Sequence, residues 1–259
     1  MSTYAISDIH GCFDEFMEVL DQVQFGDGDE LYILGDLVDR GEQVGACVEW
    51  LVEHEANAEG SNVHFILGNH EEMMHDALSG SWTDFEFHEE FKAQWANARN
   101  GGNTTLEQMR SLDPGVLRRF QYIVEHAPNG YAMRVRGRVV MLCHAGIRPA
   151  EPDSEPAEWL IQSGGDLLWI GAEWYTGDEQ APFDVISGHT PTFTLSRLNL
   201  SGCPGTAVAD GRSCYMMHWG CRHDIDCGCV FGGRMGLLRL DDWSEFYVSS
   251  KKGLRRSLR

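Results

Sequence analysis

Basic residues are scarce in this chain: 20 lysines and arginines stand against 40 aspartates and glutamates, a formal net charge of −20. Like charge repels over the Debye length, which excludes a nucleic-acid backbone and an anionic membrane as general partners. A phosphate group must therefore meet a local positive centre, either metal ions or a few arginines. Long apolar runs are missing too, and the start, Met1 to Asp8, has neither the basic residues nor the apolar stretch of a secretion signal. A cytoplasmic location is the expectation. The eight cysteines include no CxxC pair, so reduced thiols, buried as small apolar side chains, are expected over a structural zinc site in the cysteine-rich stretch Cys203 to Cys229. Internal repeats and low-complexity tracts are absent as well.

What is present is one step repeated along 259 residues, a chain long enough to bury a substantial core. A short aliphatic or β-branched run leads into a polar cluster and then into a helical period. Thr3–Ile6 runs into Ser7-Asp8-Ile9-His10-Gly11, followed by Phe13, Phe16, Met17, Leu20 and Val23 at helical spacing. Leu31–Leu34 runs into Gly35-Asp36, with Cys47, Val48, Leu51 and Val52 on a later helical face. Val63–Leu67 precedes Gly68-Asn69-His70 and a helix over Glu71–Leu78; Val139–Leu142 precedes His144-Ala145-Gly146; Phe183–Ile186 precedes Gly188-His189-Thr190. Continuous apolar strands alternating with helices predict an α/β fold with the sheet covered on both sides. The middle reads as helical, roughly Asp84–Arg99 and Pro114–Val124, with Asp113 as N-cap and Pro114 at the first helical position. Glu151–Pro156 reads as an exposed connector. The C-terminal part reads as all-β, over Cys214–Trp219, Arg222–Asp226, Met235–Leu240 and Phe246–Val248, before a basic, solvated tail from Lys251. One domain spanning 1–259, with a helical insert at about 80–127, fits this order.

The strand ends supply Asp8, His10, Asp36, Asn69, His144 and His189, a mixed oxygen and nitrogen donor set without a thiolate, suited to manganese, iron or zinc. Placed at the same end of neighbouring strands, they converge on one point, where α/β sheets bind ligands. A single loop histidine is more often a satisfied surface or core residue than a ligand. Six ligand-type residues, each closing a strand beside glycine or another small residue, do not fit that bland account.

These residues carry a resemblance. Ser7-Asp8-Ile9-His10-Gly11, Gly35-Asp36-Leu37-Val38-Asp39-Arg40-Gly41, Gly68-Asn69-His70-Glu71, His144-Ala145-Gly146 and Gly188-His189-Thr190 resemble, in order, the motifs of the phosphoprotein phosphatases, and Ile225-Asp226-Cys227-Gly228 is similar to the closing strand of bacterial and phage lambda-type serine/threonine phosphatases. The resemblance implies the calcineurin-like metallophosphoesterase fold, a central β-sandwich flanked by helices. It implies two divalent ions, manganese first, with Asp8, His10 and Asp36 holding one and Asp36, Asn69, His144 and His189 the other. Two cations ~3.5–4 Å apart lower the pKa of a shared water and supply hydroxide as nucleophile. His70 is implied as general acid with Asp39 orienting its ring, since a carboxylate on one ring nitrogen favours the form that donates a proton. Arg40 is implied to grip phosphate oxygens in a planar fork.

Two departures stand out. Ser7 replaces the usual glycine, which metal binding tolerates if the backbone there needs no positive φ. Gly171 stands where related enzymes place a second phosphate-binding arginine; Arg148 and Arg234 are the candidates to replace it. Asn100-Gly101-Gly102-Asn103-Thr104-Thr105 is similar to a lambda-type stretch, or is equally a glycine turn capped by Asn103 or Thr104. Cys12 and Cys143 adjoin the metal motifs. The resulting expectation is a phosphomonoester hydrolase acting on phosphorylated proteins or small phosphoesters, foremost a serine/threonine protein phosphatase. A symmetrical dinucleoside tetraphosphatase is the second reading, suggested by His144–Pro149 and Ile225–Gly233, and a non-catalytic phosphate-binding module the third.

Overall fold

The computed structural model describes residues 1–148, 158–161, 164–177, 181–196 and 214–251. In chain order the strands and helices are β1 Thr3–Ile6, α1 Phe13–Val23, β2 Glu30–Ile33, α2 Val44–Glu53, β3 Val63–Phe65, α3 Asn69–Ala77, β4 Leu78–Ser79, β5 Glu86–Phe87, α4 Glu89–Trp95, α5 Gly102–Met109, α6 Pro114–Glu125, β6 Gly130–Val135, β7 Arg138–Cys143, α7 Gly164–Trp169, α8 Ala172–Thr176, β8 Asp184–Ser187, α9 Thr192–Leu195, β9 Met217–Trp219, β10 Arg222–Asp224, β11 Arg234–Arg239 and β12 Ser244–Ser249. One five-stranded sheet runs β12-β11-β1-β2-β3 and a second runs β6-β7-β8-β10-β9. In the first, β1, β2 and β3 are parallel; in the second, β7, β8 and β10 are.

Residue parity along the strands explains why the apolar runs are continuous. Ala5, Leu34, Val140, Leu142, Ile186 and Leu238 share one core with Val135 and Ile225, contributed by both sheets. Their neighbours point the other way. Tyr4, Ile6, Leu31, Ile33 and Leu237 pack with Phe16, Val48, Leu51 and Phe120 from α1, α2 and α6, while Met141, Cys143 and Val185 pack with Trp159, Leu167 and Trp174. A strand apolar on both faces belongs inside layers, and here two sheets lie between helical layers.

The calcineurin-like α/β architecture expected from the motifs is the one observed. Asp113 caps α6 by accepting the Gly115 N–H at 2.6 Å, with Pro114 at the first helical position. The middle differs in detail: the helix expected over Asp84–Arg99 is confined to Glu89–Trp95, because a short hairpin pairs Leu78 with Phe87 and Phe85 takes φ 51°, which stops a helical turn. Strand β6 shows period two, with Tyr131, Met133 and Val135 facing the inter-sheet core. The connector Glu151–Pro156, Cys203 and the tail beyond Lys251 lie outside the described residues. Among the described residues no helix is long and apolar enough to cross a membrane.

Candidate metal centre

Parallel strands deliver their C-terminal ends to one side, and both sheets do so here. Asp8 and His10 follow β1, Asp36 follows β2, Asn69 and His70 open α3 after β3, His144 follows β7 and His189 follows β8. Asp8, His10, Asp36, Asn69, His70 and His144 are all buried. The loops turn sharply to present them: Asp8 (φ 52°), His10 (44°), Asp36 (54°), Asp39 (71°), Arg40 (64°) and His189 (70°) all occupy the left-handed region. Such residues persist only where the surroundings over-determine them, and they cluster at functional sites. Ser7 is not among them, so its Cβ is tolerated. Its hydroxyl donates to the Asp8 carboxylate, and a Cβ at Gly188 would strike that hydroxyl.

Hydrogen bonds to backbone carbonyls fix the imidazoles. His10 Nδ1–H donates to Val38 C=O at 2.6 Å and His144 Nδ1–H to Leu34 C=O at 2.7 Å. With Nδ1 as donor, each neutral ring points the Nε2 lone pair inward. For His10 that lone pair faces Asp36 Oδ2 at 3.4 Å and Asp8 Oδ1 at 3.9 Å; for His144 it faces Asn69 Oδ1 at 2.9 Å and Asp36 Oδ1 at 3.4 Å. His189 Nδ1 lies 3.0 Å from the same Asn69 oxygen and 3.2 Å from His144 Nε2. Acceptors aimed at acceptors repel unless positive charge lies between them. Burial, then Arg40, lowers the His10 pKa, and burial with His144 holds His189 down to about 3, so these two rings do not supply that charge by protonation. Imidazoles, one amide oxygen and carboxylates converging on one point are the donor chemistry of divalent transition ions, and this site fits them. Ligand atoms group as His10, Asp36 and His70 and as Asp36, His144 and His189, with Asp36 common to both.

Beside this set, His70 Nδ1–H donates to Asp39 Oδ2 at 2.6 Å. Asp39 is fully buried and is fixed from behind: Trp95 Nε1–H donates to both its oxygens at 3.0 Å, and the Thr105 hydroxyl donates to Oδ1 at 2.6 Å. Arg40 reaches His10 Nε2 with one guanidinium nitrogen, lies 5.4 Å above the Phe231 ring, and keeps a buried Nε–H with no acceptor among the described residues. That donor is of the kind an anionic oxygen satisfies. A cleft of about 450 Å³ opens next to Arg40, lined by Asn97, Arg99, Asn103, Thr104 and Phe231 among others.

The structure thus brings all nine expected site residues together, and it adds others. Glu71, buried, accepts the N–H groups of Asp36 (2.9 Å), Leu37 (2.9 Å) and Val38 (3.0 Å) and so shapes the loop that carries Asp36; burial and the Asp36 charge push its carboxyl up to about 8. The Asn100–Thr105 stretch belongs to the site: Gly101 (φ 86°) packs so closely that a Cβ would meet Arg40 N at 2.6 Å. Neither Asn103 nor Thr104 caps α5; its N-cap is Gly101, and the Thr104 hydroxyl donates to the Gly101 carbonyl instead. Asp226, just past the end of β10, is a further buried carboxylate, raised by burial and by Asp8. It repeats the pattern of a polar residue closing a strand before a glycine, which is the signal that marks it in the sequence. Of the arginines weighed for the second phosphate contact, Arg148 is engaged with Asp166 at 2.7 Å and Glu173 at 3.2 Å, and Arg234 stacks on Tyr215.

Residues 1–233 match the family described as calcineurin-like phosphoesterase. An asymmetrical bis(5′-nucleosyl)-tetraphosphatase PrpE from Geobacillus thermodenitrificans is 25% identical over 95% of this chain and 93% of that protein. A symmetrical bis(5′-nucleosyl)-tetraphosphatase from Glaesserella parasuis serovar 5 is 42% identical over 81 residues, which is 31% of this chain and 28% of that protein. The crystal structure of a putative diadenosine tetraphosphatase aligns over 97% of this chain and 94% of its own, with a TM-score of 0.55 at 19% identity. That last likeness bears on the fold.

Proposed function

The chain belongs to the calcineurin-like phosphoesterases, and we propose that it is a dinuclear-metal phosphomonoesterase whose foremost substrate class is the phosphorylated serine or threonine side chain. Asp8, His10 and Asp36 would hold one divalent ion and Asp36, Asn69, His144 and His189 the other, with manganese first among the candidates. When bound, such a pair supplies an activated water near neutral pH and positive charge for the phosphoryl oxygens. The chain's own residues do the rest. Arg40 directs its guanidinium, with the buried Nε–H, at the non-bridging oxygens. His70 holds a proton on Nε2 for the leaving oxygen, its Nδ1–H fixed on Asp39.

The observation that carries this reading is the His70–Asp39 pair braced by Trp95 and Thr105. An alkoxide leaves poorly and needs a proton in the transition state, whereas a phosphate or nucleotide leaving group needs that help far less. A built general acid therefore points to alkyl phosphates. The second reading, a dinucleoside tetraphosphatase, is favoured by the names of the relatives and by the cleft beside Arg40, whose volume suits a nucleoside. Manganese-dependent hydrolysis of a phosphoserine peptide and of diadenosine tetraphosphate, compared by kcat/KM, decides between them. The peptide is expected to be the better substrate, and a dinucleotide preference on the order of 100-fold reverses the order.

Gly171 gives a separate test of how phosphate is held. Its φ is −109°, and a Cβ there meets nothing within 4 Å, so a side chain enters without striking a neighbour. Gly171→Arg is expected to raise kcat/KM at unchanged Tm, through one charge-assisted contact of about 1.5–3 kcal/mol. Arg148→Ala is expected to leave kcat/KM nearly unaltered, because Arg148 is engaged with Asp166 and Glu173. Unchanged efficiency in the first with a large loss in the second shows that Arg148 already makes the contact.

A further inference from the structure

A second cluster of ligand-type side chains lies away from the histidines. Cys12 Sγ, a Glu15 carboxylate oxygen and Cys229 Sγ are within 4.8 Å of one another, and all three residues are buried, at 2%, 4% and 2% exposure. Cys12 immediately precedes α1 and Glu15 sits in its first turn. Cys229 opens a short 3-10 turn, Cys229–Phe231, between β10 and β11. Among the described residues Glu15 has no cation: its recorded hydrogen bond comes from the Lys251 backbone N–H at 2.8 Å, while the Lys251 ammonium turns outward to Asp14 at 3.6 Å and Glu18 at 3.7 Å. A carboxylate taken out of water beside two polarizable sulfurs wants positive charge.

We propose that Cys12, Glu15 and Cys229 form a separate site for a thiophilic divalent ion of the zinc and cadmium class. Tetrahedral zinc, with Zn–S near ~2.3 Å and Zn–O near ~2.0–2.2 Å, spaces its ligand atoms by under about 4 Å, so atoms already inside 4.8 Å need only a small adjustment. Thiolates prefer zinc and cadmium over manganese and magnesium, whereas the histidine and aspartate centre carries no thiolate, so the two sites sort metals by softness. Position gives the site a consequence. Cys12 lies two residues after His10, and Cys229 lies between Asp226 and the Phe231 ring under Arg40. An ion bridging them braces the loop of the first strand against the turn that supports Arg40.

The test loads the full-length, reduced protein with Mn²⁺ and then titrates it with Cd²⁺, following the thiolate-to-cadmium charge-transfer band in the ultraviolet and the metal bound per chain. The wild-type protein is expected to gain the band and about one further equivalent, with a rise in Tm. Cys229→Ser is expected to lose all three, and Cys214→Ser to keep them. Glu15→Gln retains both thiols and is expected to weaken cadmium by at least ~10-fold, which keeps the test open should the serine variant fold poorly. A wild-type protein that takes up no further cadmium, or a band that is the same in Cys229→Ser and Glu15→Gln as in wild type, overturns the proposal.

Discussion

Asp36→Asn is expected to lower turnover by at least ~10³-fold and to leave the purified protein with fewer than two bound ions. Each Asp36 oxygen faces a different set of nitrogens: Oδ2 lies 3.4 Å from His10 Nε2, and Oδ1 lies 3.4 Å from His144 Nε2. Asparagine keeps the shape but presents an N–H on one side and removes the negative charge common to both groups. Oδ1 also accepts the His70 backbone N–H at 3.0 Å, a bond that the amide oxygen can preserve, so the fold is expected to survive. Elemental analysis and steady-state rates check both parts. Two tightly held ions with normal turnover in the variant rule out a shared dinuclear centre.

His70→Asn is expected to separate chemistry from metal binding. The backbone N–H of residue 70 still reaches Asp36, and none of the six proposed ligands changes, so metal content is expected to stay near normal. Turnover of an alkyl phosphate is expected to fall by ~10²–10⁴-fold, the range for a lost general acid. For nitrophenyl phosphate, whose leaving group departs without a proton, the loss is expected to be much smaller. Equal losses for the two substrates remove His70 from the acid role. The variant also leaves buried Asp39 with Trp95 and Thr105 but without its imidazole, so a stability loss of about 1–3 kcal/mol is expected beside the kinetic effect.

What the sequence discloses about this site follows from where its information is local. Asp8, His10, Asp36, Asn69, His144 and His189 each close a strand, and strand ends are legible from a short apolar run meeting a polar cluster. Asp226 obeys the same grammar, although the strand expected over Arg222–Asp226 stops at Asp224. Thr105 and Trp95 escape for another reason: their partner Asp39 lies 66 and 56 residues away, and nothing in a threonine or a tryptophan within a helical stretch announces a carboxylate across the fold. The same distance effect hides Cys229. Its sequence neighbours place it among buried strand thiols of the C-terminal hairpin, whereas the fold sets it beside Cys12 and Glu15. The hairpin at Leu78–Phe87 was lost in a stretch whose polar residues also suit a helix. The left-handed backbone at Asp8, His10, Asp36 and Asp39 is not legible either, because residues with a Cβ adopt it only when the surrounding loops force them to.

Strand order also governs when the molecule can come into being. β1 lies between β2 and β11, with Tyr4 opposite Arg239 and Ile6 opposite Leu237. β1 is therefore completed on one side by a strand that lies far later in the sequence. Closing a loop of that length is slow compared with pairing neighbours. Until β11 emerges, β1 presents a free edge, the kind of surface on which unfinished chains associate. β8 likewise waits for β10. Asp8 and His10 thus leave the ribosome long before residues 234–239, yet their frame closes only when those have been made, and a chain truncated before them should be recovered as aggregate rather than as a weakened hydrolase.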